Sequence, residues 1–294
     1  MKRIKEYRTR DIERVRTRSQ KIAFTMIAVI FFLYAATFIY TLGWAFITSL
    51  KDKLGFIRDP FAWPSKLHFE NYIEAFKVLK IGESTLFDLI FNSAWYSVLS
   101  TVMIVFFTNV TAYCVSKYKF VGNRLLYFIS LFVMIVPVVG ALPQQYILYS
   151  NLGMIDSPLY LILFTGGFGF NFFLFYGFYK NISWDYAEAV FVDGGGHFTV
   201  YFKVMLPQSL SMCFALGIIQ FITQYNDYNT MILFLPSYPT LASGLYQFQF
   251  VPEIRSNYPV YYAVIIITTI PVIVLYACFQ EQIMNSTVAG GLKG

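Results

Sequence analysis

Asp227 stands within an apolar stretch, 210–235, in the company of Gln220, Gln224, Asn226 and Asn229. An ionisable residue inside such a stretch costs roughly 2.5 to 3.5 kcal/mol at the centre of a bilayer, which makes it a functional candidate by default. Gln220 and Gln224 are i, i+4 neighbours and project from one helical face. The chemistry this set offers is hydrogen bonding, with donors and acceptors suited to a pathway for a polar solute. A second reading stays open beside it. Polar side chains also knit helices together within lipid, and Asp227, roughly 25 Å along from Leu210 and so near an interface, equally suits a structural bond to Asn226 or to a neighbouring helix.

Covalent chemistry has no comparable set of residues. There is no G-x-x-x-x-G-K phosphate loop, no H-E-x-x-H pattern and no nucleophile elbow, while His68 and His197 are isolated in different loops. No catalytic residue, no metal site and no cofactor bound by the chain itself are therefore expected. Cys114, Cys213 and Cys278 each fall in an apolar stretch and their number is odd, so they read as small buried hydrophobes rather than a disulfide framework.

A different kind of constellation occupies 180–207. Ser183 is placed to cap a short helix over 184–193, with Asp185 near its positive end. Gly194, Gly195 and Gly196 then stop that helix. Phe198, Tyr201 and Phe202 recur at i, i+3 and i+4, predicting a second short helix with one apolar face lying along the membrane surface, and Pro207 marks the next span. Glycines permit a sharp reversal closed to residues bearing Cβ, so the product is a compact protrusion that another protein can grip. An arbitrary amphipathic loop would show the same periodicity.

The elements that position these residues follow from composition. Of 294 residues 57% are hydrophobic and 13% charged, with mean hydropathy +0.56, which excludes an ordinary soluble domain. Crossing the hydrocarbon core takes roughly 20 apolar helical residues. Six segments meet that length: 22–47, 89–115, 125–148, 159–179, 210–235 and 260–279. Pro137, Gly140 and Pro143 in the third, and Gly166, Gly167 and Gly169 in the fourth, would loosen or kink their helices, or serve as close-packing positions.

Charge orients the spans. Nine Lys or Arg precede Ile22 against three acids, Lys117, Lys119 and Arg124 face no acid in the loop 116–124, and the loop 149–158 holds neither Lys nor Arg. The positive-inside rule then puts both termini, 116–124 and 180–207 in the cytoplasm. The organisation expected is a basic cytoplasmic tail over 1–21, a six-helix membrane domain over 22–280 and a cytoplasmic tail over 281–294. That domain includes an external cap over 48–87 and the loop 180–207. The formal charge of +6 belongs to this topology and not to nucleic acid, since the basic residues gather beside spans. The sequons at Asn109, Asn181 and Asn285 lie in lipid or cytoplasm on this topology and carry no meaning.

Glu188, Ala189 and Val190, then Val192, Asp193 and Gly194, and twelve positions later Leu206 and Pro207, resemble the EAA motif of ABC importer permeases. Further features point to the maltose-type carbohydrate permease group. They include Ser49-Leu50-Lys51, Asn71-Tyr72, Asn92-Ser93, Ala112-Tyr113, Gly122, Phe173-Leu174, Asn226-Asp227 and the ending from Ala289 to Gly294. Departures are Val190 for the second alanine, Ser183 for a usual Pro and Tyr225 for a common Trp.

The resemblance implies the type I ABC importer permease fold, an all-α membrane protein of six transmembrane helices with a cytoplasmic coupling-helix loop. It implies a bacterial inner or plasma membrane location. It assigns Glu188, Ala189, Asp193, Gly194, Leu206 and Pro207 to coupling with a cytoplasmic ATPase dimer, Gly194 being the bend. It implies a second permease subunit, an extracellular solute-binding protein, a sugar or oligosaccharide cargo, and ATP used by the partner ATPase alone. A non-sugar cargo, a secondary transporter and an integral membrane enzyme are the competing readings. Secondary carriers usually carry internal repeats and midplane ionisable groups, and neither is evident here.

Overall fold

The computed structural model describes residues 18–78, 80–136, 140–250 and 257–291, with side chains described to residue 280. Most of the basic tail, Pro137 and the last three residues lie outside the described residues, as do the side chains of the expected carboxyl-terminal tail. The described chain is helical, with one isolated bridge between Ile81 and Ser84. In order run α1 (Arg18–Ser49), α2 (Lys53–Arg58), α3 (Glu70–Val78), α4 (Leu86–Lys117), α5 (Asn123–Ile135) and α6 (Leu142–Asn151). After a 3₁₀ helix (Pro158–Gly166) come α7 (Phe170–Asn181), α8 (Asp185–Val192), α9 (His197–Val200) and a π-turn (Tyr201–Met205). The chain ends with α10 (Leu206–Tyr225), α11 (Tyr228–Phe234), α12 (Leu241–Phe248) and α13 (Tyr258–Gly291).

By length and composition four helices can cross a membrane: α1, α4, the continuous helix from His197 to Tyr225, and α13. A fifth span results if the 3₁₀ helix and α7, bent by 52°, count as one. The kink expected at Gly166–Gly169 is present. Gly167 adopts φ +67°, and a Cβ there would meet Thr111 Oγ1 at 2.7 Å, so only glycine fits this close approach of two elements. The stretch expected as a third span consists of α5 and α6, each too short to cross alone, with Gly140 at φ +75° between them and Pro143 in the first turn of α6. The fifth expected stretch begins earlier, at His197, and its helix ends at Tyr225 rather than Leu235. The last helix does not stop at Phe279 but continues to Gly291.

Burial follows membrane logic. The flanks of α1 from Ile22 to Leu42 expose Phe, Ile, Leu and Tyr side chains, and only its end, at Ala45, Thr48 and Ser49, is buried. The central helix α4 instead buries a face rich in small polar residues, among them Asn92, Ser93, Ser97, Ser100, Thr101, Thr108 and Asn109. In hydrocarbon the apolar residues need no burial, and small or hydrogen-bonding groups bring helices together. Cys114 and Cys213 are half-buried, but Cys278 is exposed on α13, where a thiol at the bundle perimeter costs nothing in an apolar surrounding.

Residue pairs quoted separately for the resemblance meet in space. Asn71 Nδ2 donates to the carbonyls of Ser49 and Lys51, both at 2.8 Å, and Ser49 Oγ lies 2.7 Å from the Tyr72 hydroxyl. Lys51 Nζ, in a residue 3% exposed, donates to the Pro60 carbonyl at 2.6 Å. Asn92 donates to the Pro239 carbonyl and Ser93 Oγ accepts the Leu241 amide at 2.7 Å, joining the start of α4 to the turn before α12.

Candidate functional site

The protrusion around α8 is built by its own backbone. The N-cap is Trp184 and not Ser183 as expected: the Trp184 carbonyl accepts from Ala187 and Glu188, while Ser183, one residue earlier, accepts the Asp185 amide on its Oγ at 3.2 Å and closes the turn that leads into the helix. At the far end Gly194 takes φ +80°, and Gly194 and Gly195 return their amides to the carbonyls of Phe191 and Val190 at 3.0 and 2.8 Å. This is a left-handed helix stop of the kind that glycine makes cheaply. Gly195 is needed for another reason. Its Cβ would lie 2.5 Å from Val190 Cγ1 and 3.0 Å from the Val190 carbonyl oxygen, so the chain doubles back too closely for a side chain.

The second helix differs from expectation. It does not lie apart from the next span, because α9, the π-turn and α10 form one continuous rod from His197 to Tyr225. Pro207 has no amide to give the Lys203 carbonyl, so the α-ladder lapses there, and the Leu206 amide reaches back five residues to Tyr201. Nor do Phe198, Tyr201 and Phe202 share one face. Tyr201 is buried while Phe198 and Phe202 are exposed, because the Tyr201 hydroxyl turns inward to Asn109 Oδ1 at 2.8 Å.

Ala187 on α8 and Val200 on α9 pack inward against Tyr179, Met205 and Tyr113. The outer surface carries Glu188, Ala189, Asp193 and Gly194, all exposed, beside Tyr186, Val192 (87% exposed) and Phe198 (81% exposed). Large apolar side chains at the tip of a turn, flanked by carboxylates, form a small protruding knob. Leu206, half-buried, and Pro207, exposed, lie beyond the π-turn at the root of α10 rather than on α8.

Asp227 and the four amides singled out in the 210–235 stretch are not all brought together. Gln220 Nε2 donates to Gln224 Oε1 at 3.2 Å, and Gln224 Nε2 points to the Tyr96 hydroxyl at 3.4 Å. Tyr96 in turn donates to Asp227 Oδ2 at 3.0 Å, and Asn171 Nδ2 lies 3.5 Å from Gln220 Oε1. The result is a polar row from α7 to the end of α10, with Asn171 and Tyr96 as members not singled out by the sequence. Asp227 also accepts the Thr230 amide at 3.1 Å and so starts α11, which explains why the helix breaks there. Asn226 and Asn229 are exposed and stand outside the row, Asn226 bonding the Ile222 carbonyl of its own helix.

Residues 110–285, which include the knob and the polar row except Tyr96, match the family described as binding-protein-dependent transport system inner membrane component. The chain is similar to a diacetylchitobiose uptake system permease protein of Streptomyces coelicolor, at 26% identity over 265 residues, 89% of this chain and 86% of the relative. It is similar also to a maltodextrin transport system permease protein of Bacillus subtilis, at 27% identity over 249 residues, 76% of this chain and 89% of the relative. A third relative is a sulfoquinovosyl glycerol transport system permease protein of Agrobacterium fabrum, at 26% identity over 256 residues, 85% of this chain and 87% of that one. Among solved structures, the fold matches a chain of a bacterial ABC transporter involved in the import of the acidic polysaccharide alginate. The TM-score is 0.75 at 22% identity, over 90% of this chain and 98% of the other.

Proposed function

The chain belongs to the family of binding-protein-dependent transport system inner membrane components, and on that premise we propose that it is the permease subunit of an ATP-binding-cassette importer for sugars or oligosaccharides. The observation that carries the reading is the family match over 110–285, a region containing the exposed α8–Gly194 knob. Relatives whose names cite diacetylchitobiose, maltodextrin and sulfoquinovosyl glycerol support a carbohydrate cargo.

In this reading the knob faces the cytoplasm and docks on a separate ATPase dimer that hydrolyses the ATP. A second permease subunit completes the membrane pathway and an external binding protein delivers the solute. Both termini are cytoplasmic, the protein sits in the bacterial inner or plasma membrane, and α5 with α6 forms a broken span that brings the number to six. Glu188, Ala189, Asp193 and Gly194 form the contact surface, with Leu206 and Pro207 at the root of the element. Gln220, Gln224 and Asp227 contribute to the solute pathway from the polar row, and Asn226 and Asn229 from its exposed flank.

The test is co-purification and uptake. Glu188→Lys reverses a charge on the docking surface, which disfavours association with a partner selected for the original sign. Recovery of the ATPase with this variant should fall several-fold at normal membrane levels, and uptake of radiolabelled maltotriose or diacetylchitobiose should fall with it. Undiminished recovery of the ATPase would leave Glu188 on a merely solvated face.

A further inference from the structure

Under the docking knob lies a buried polar cluster that the functional reading leaves unused. Asn109 of α4, fully buried, uses all its hydrogen-bonding capacity on three other elements. Its Oδ1 accepts from the hydroxyls of Tyr179 on α7, at 2.7 Å, and Tyr201 in the π-turn, at 2.8 Å. Its Nδ2 faces Ser209 Oγ at 3.0 Å and Cys213 Sγ at 3.3 Å, both on α10. Isolated amides in an apolar bundle are costly, so a fully satisfied one holds its four partners in a single arrangement.

A chain of rings and hydroxyls links this cluster to the knob. The Tyr113 ring packs at 5.4 Å on Tyr179 and 5.0 Å on Tyr201, and its hydroxyl meets that of Tyr118 at 2.9 Å. The Tyr118 hydroxyl lies 3.0 Å from His197 Nδ1, and its ring packs edge-on to Trp184 at 5.5 Å. His197 also packs on Phe191 at 5.0 Å. Trp184 enters α8, Phe191 lies in its last turn and His197 opens α9, so both sides of the glycine reversal are tied to one tyrosine. Tyr118 is itself held, since Asn123 Nδ2 donates to its carbonyl and Lys117 Nζ donates to the Ile182 carbonyl.

We propose that Asn109, Tyr201, Tyr113, Tyr118 and His197 form the rigid link that carries displacement of the α8–α9 knob into α4, α7 and α10, so that Asn109 and Tyr118 are positioning residues for transport. The proposal rests on the ATPase-docking reading above. Physically, tightly packed and hydrogen-bonded elements move together rather than deform, and the π-turn, the one place where the rod departs from the α-ladder, is bonded directly to Asn109. Without those bonds the knob would swing about the π-turn and its motion would be absorbed there.

Pulsed electron-spin distance measurements on the assembled transporter test this, with its ATPase, second permease and binding protein present. Spin labels are placed at Thr223→Cys near the far end of α10 and at Glu74→Cys on α3, an exposed reference outside the linked elements; Cys114 and Cys278 are replaced by alanine and Cys213 by serine, which keeps an acceptor for Asn109. Addition of ATP and vanadate should shift the distance distribution in the parent chain. In Tyr118→Phe and Tyr201→Phe, which keep the rings and lose only hydroxyls, the shift should fall by half or more while ATPase recovery and nucleotide trapping persist. The Asn109→Ala/Tyr201→Phe double variant should do no worse than Asn109→Ala alone, since both break the same link. A full shift in Tyr201→Phe, or no shift in the parent with the ATPase bound, overturns the link and leaves docking intact. Loss of ATPase recovery in the parent itself marks instead the failure of the docking reading.

Discussion

The Tyr96 hydroxyl donates to Asp227 Oδ2 at 3.0 Å across 131 positions of sequence, tying the middle of the central helix α4 to the break between α10 and α11. That contact decides what the carboxylate does. It is half-buried, it starts α11 through the Thr230 amide, and it ends the polar row that begins at Asn171.

Removing the hydroxyl in Tyr96→Phe takes a donor from Asp227 and an acceptor from Gln224. A hydrogen bond to a charged group contributes about 1.5–3 kcal/mol, so the variant should unfold several degrees below the parent chain in detergent. Asp227→Asn keeps the cap and should cost less. An unchanged midpoint for Tyr96→Phe would remove the contact from the stability account.

The two glycines of the knob should fail differently. Gly194→Val places a β-branched residue at φ +80°, where an L side chain costs roughly 1–2 kcal/mol, and should lower solute uptake per ATP hydrolysed. Gly195→Ala brings Cβ onto Val190 Cγ1 at 2.5 Å, so it should impair uptake and be partly relieved by Val190→Ala, which deletes that methyl but leaves the Val190 carbonyl oxygen at 3.0 Å. Gly194→Val should gain nothing from Val190→Ala. Relief of both by the second substitution would mean that the two positions share one steric cause.

Burial pushes the Lys51 ammonium below the usual lysine range, with Asp59 opposing the shift. A lysine that releases its proton earlier when folded binds fewer protons than the unfolded chain between its folded value and about 10.4, so stability rises with pH across that window. The unfolding midpoint of the parent should therefore climb relative to that of Lys51→Met as pH goes from about 8 to 10. A difference that stays constant over the same range would sink the argument.

Orientation is read by thiol labelling in a background without Cys114, Cys213 and Cys278. Ser183→Cys, at the exposed entry to α8, should react with a membrane-impermeant reagent only after cells are opened. Asn151→Cys, exposed at the end of α6 in the loop without Lys or Arg, should react in intact cells. Reaction of Ser183→Cys from outside would put the knob beyond any cytoplasmic ATPase.

Local chemistry was enough for much of this protein. Run length and apolar composition determined α1, α4 and α13, because helices in hydrocarbon need no distant partner to satisfy their backbones. Gly194 announced the end of α8 and the glycines at 166–169 announced a bend, because positive φ acts within a few residues, whereas the start of α8 fell one residue later than Ser183 suggested. The partners of buried polar groups were beyond reach. Asn109 entered the sequence reading only as a sequon without meaning, and its four partners come from three elements 70 to 104 positions away. The same holds for Asp227, whose donor sits on another helix, and for Tyr201, which periodicity placed with Phe198 and Phe202 until Asn109 drew it inward. Periodicity records which way a side chain points along its own helix; which neighbour meets it depends on how helices pack, and in a bundle without a hydrophobic driving force that packing is set by the polar contacts themselves.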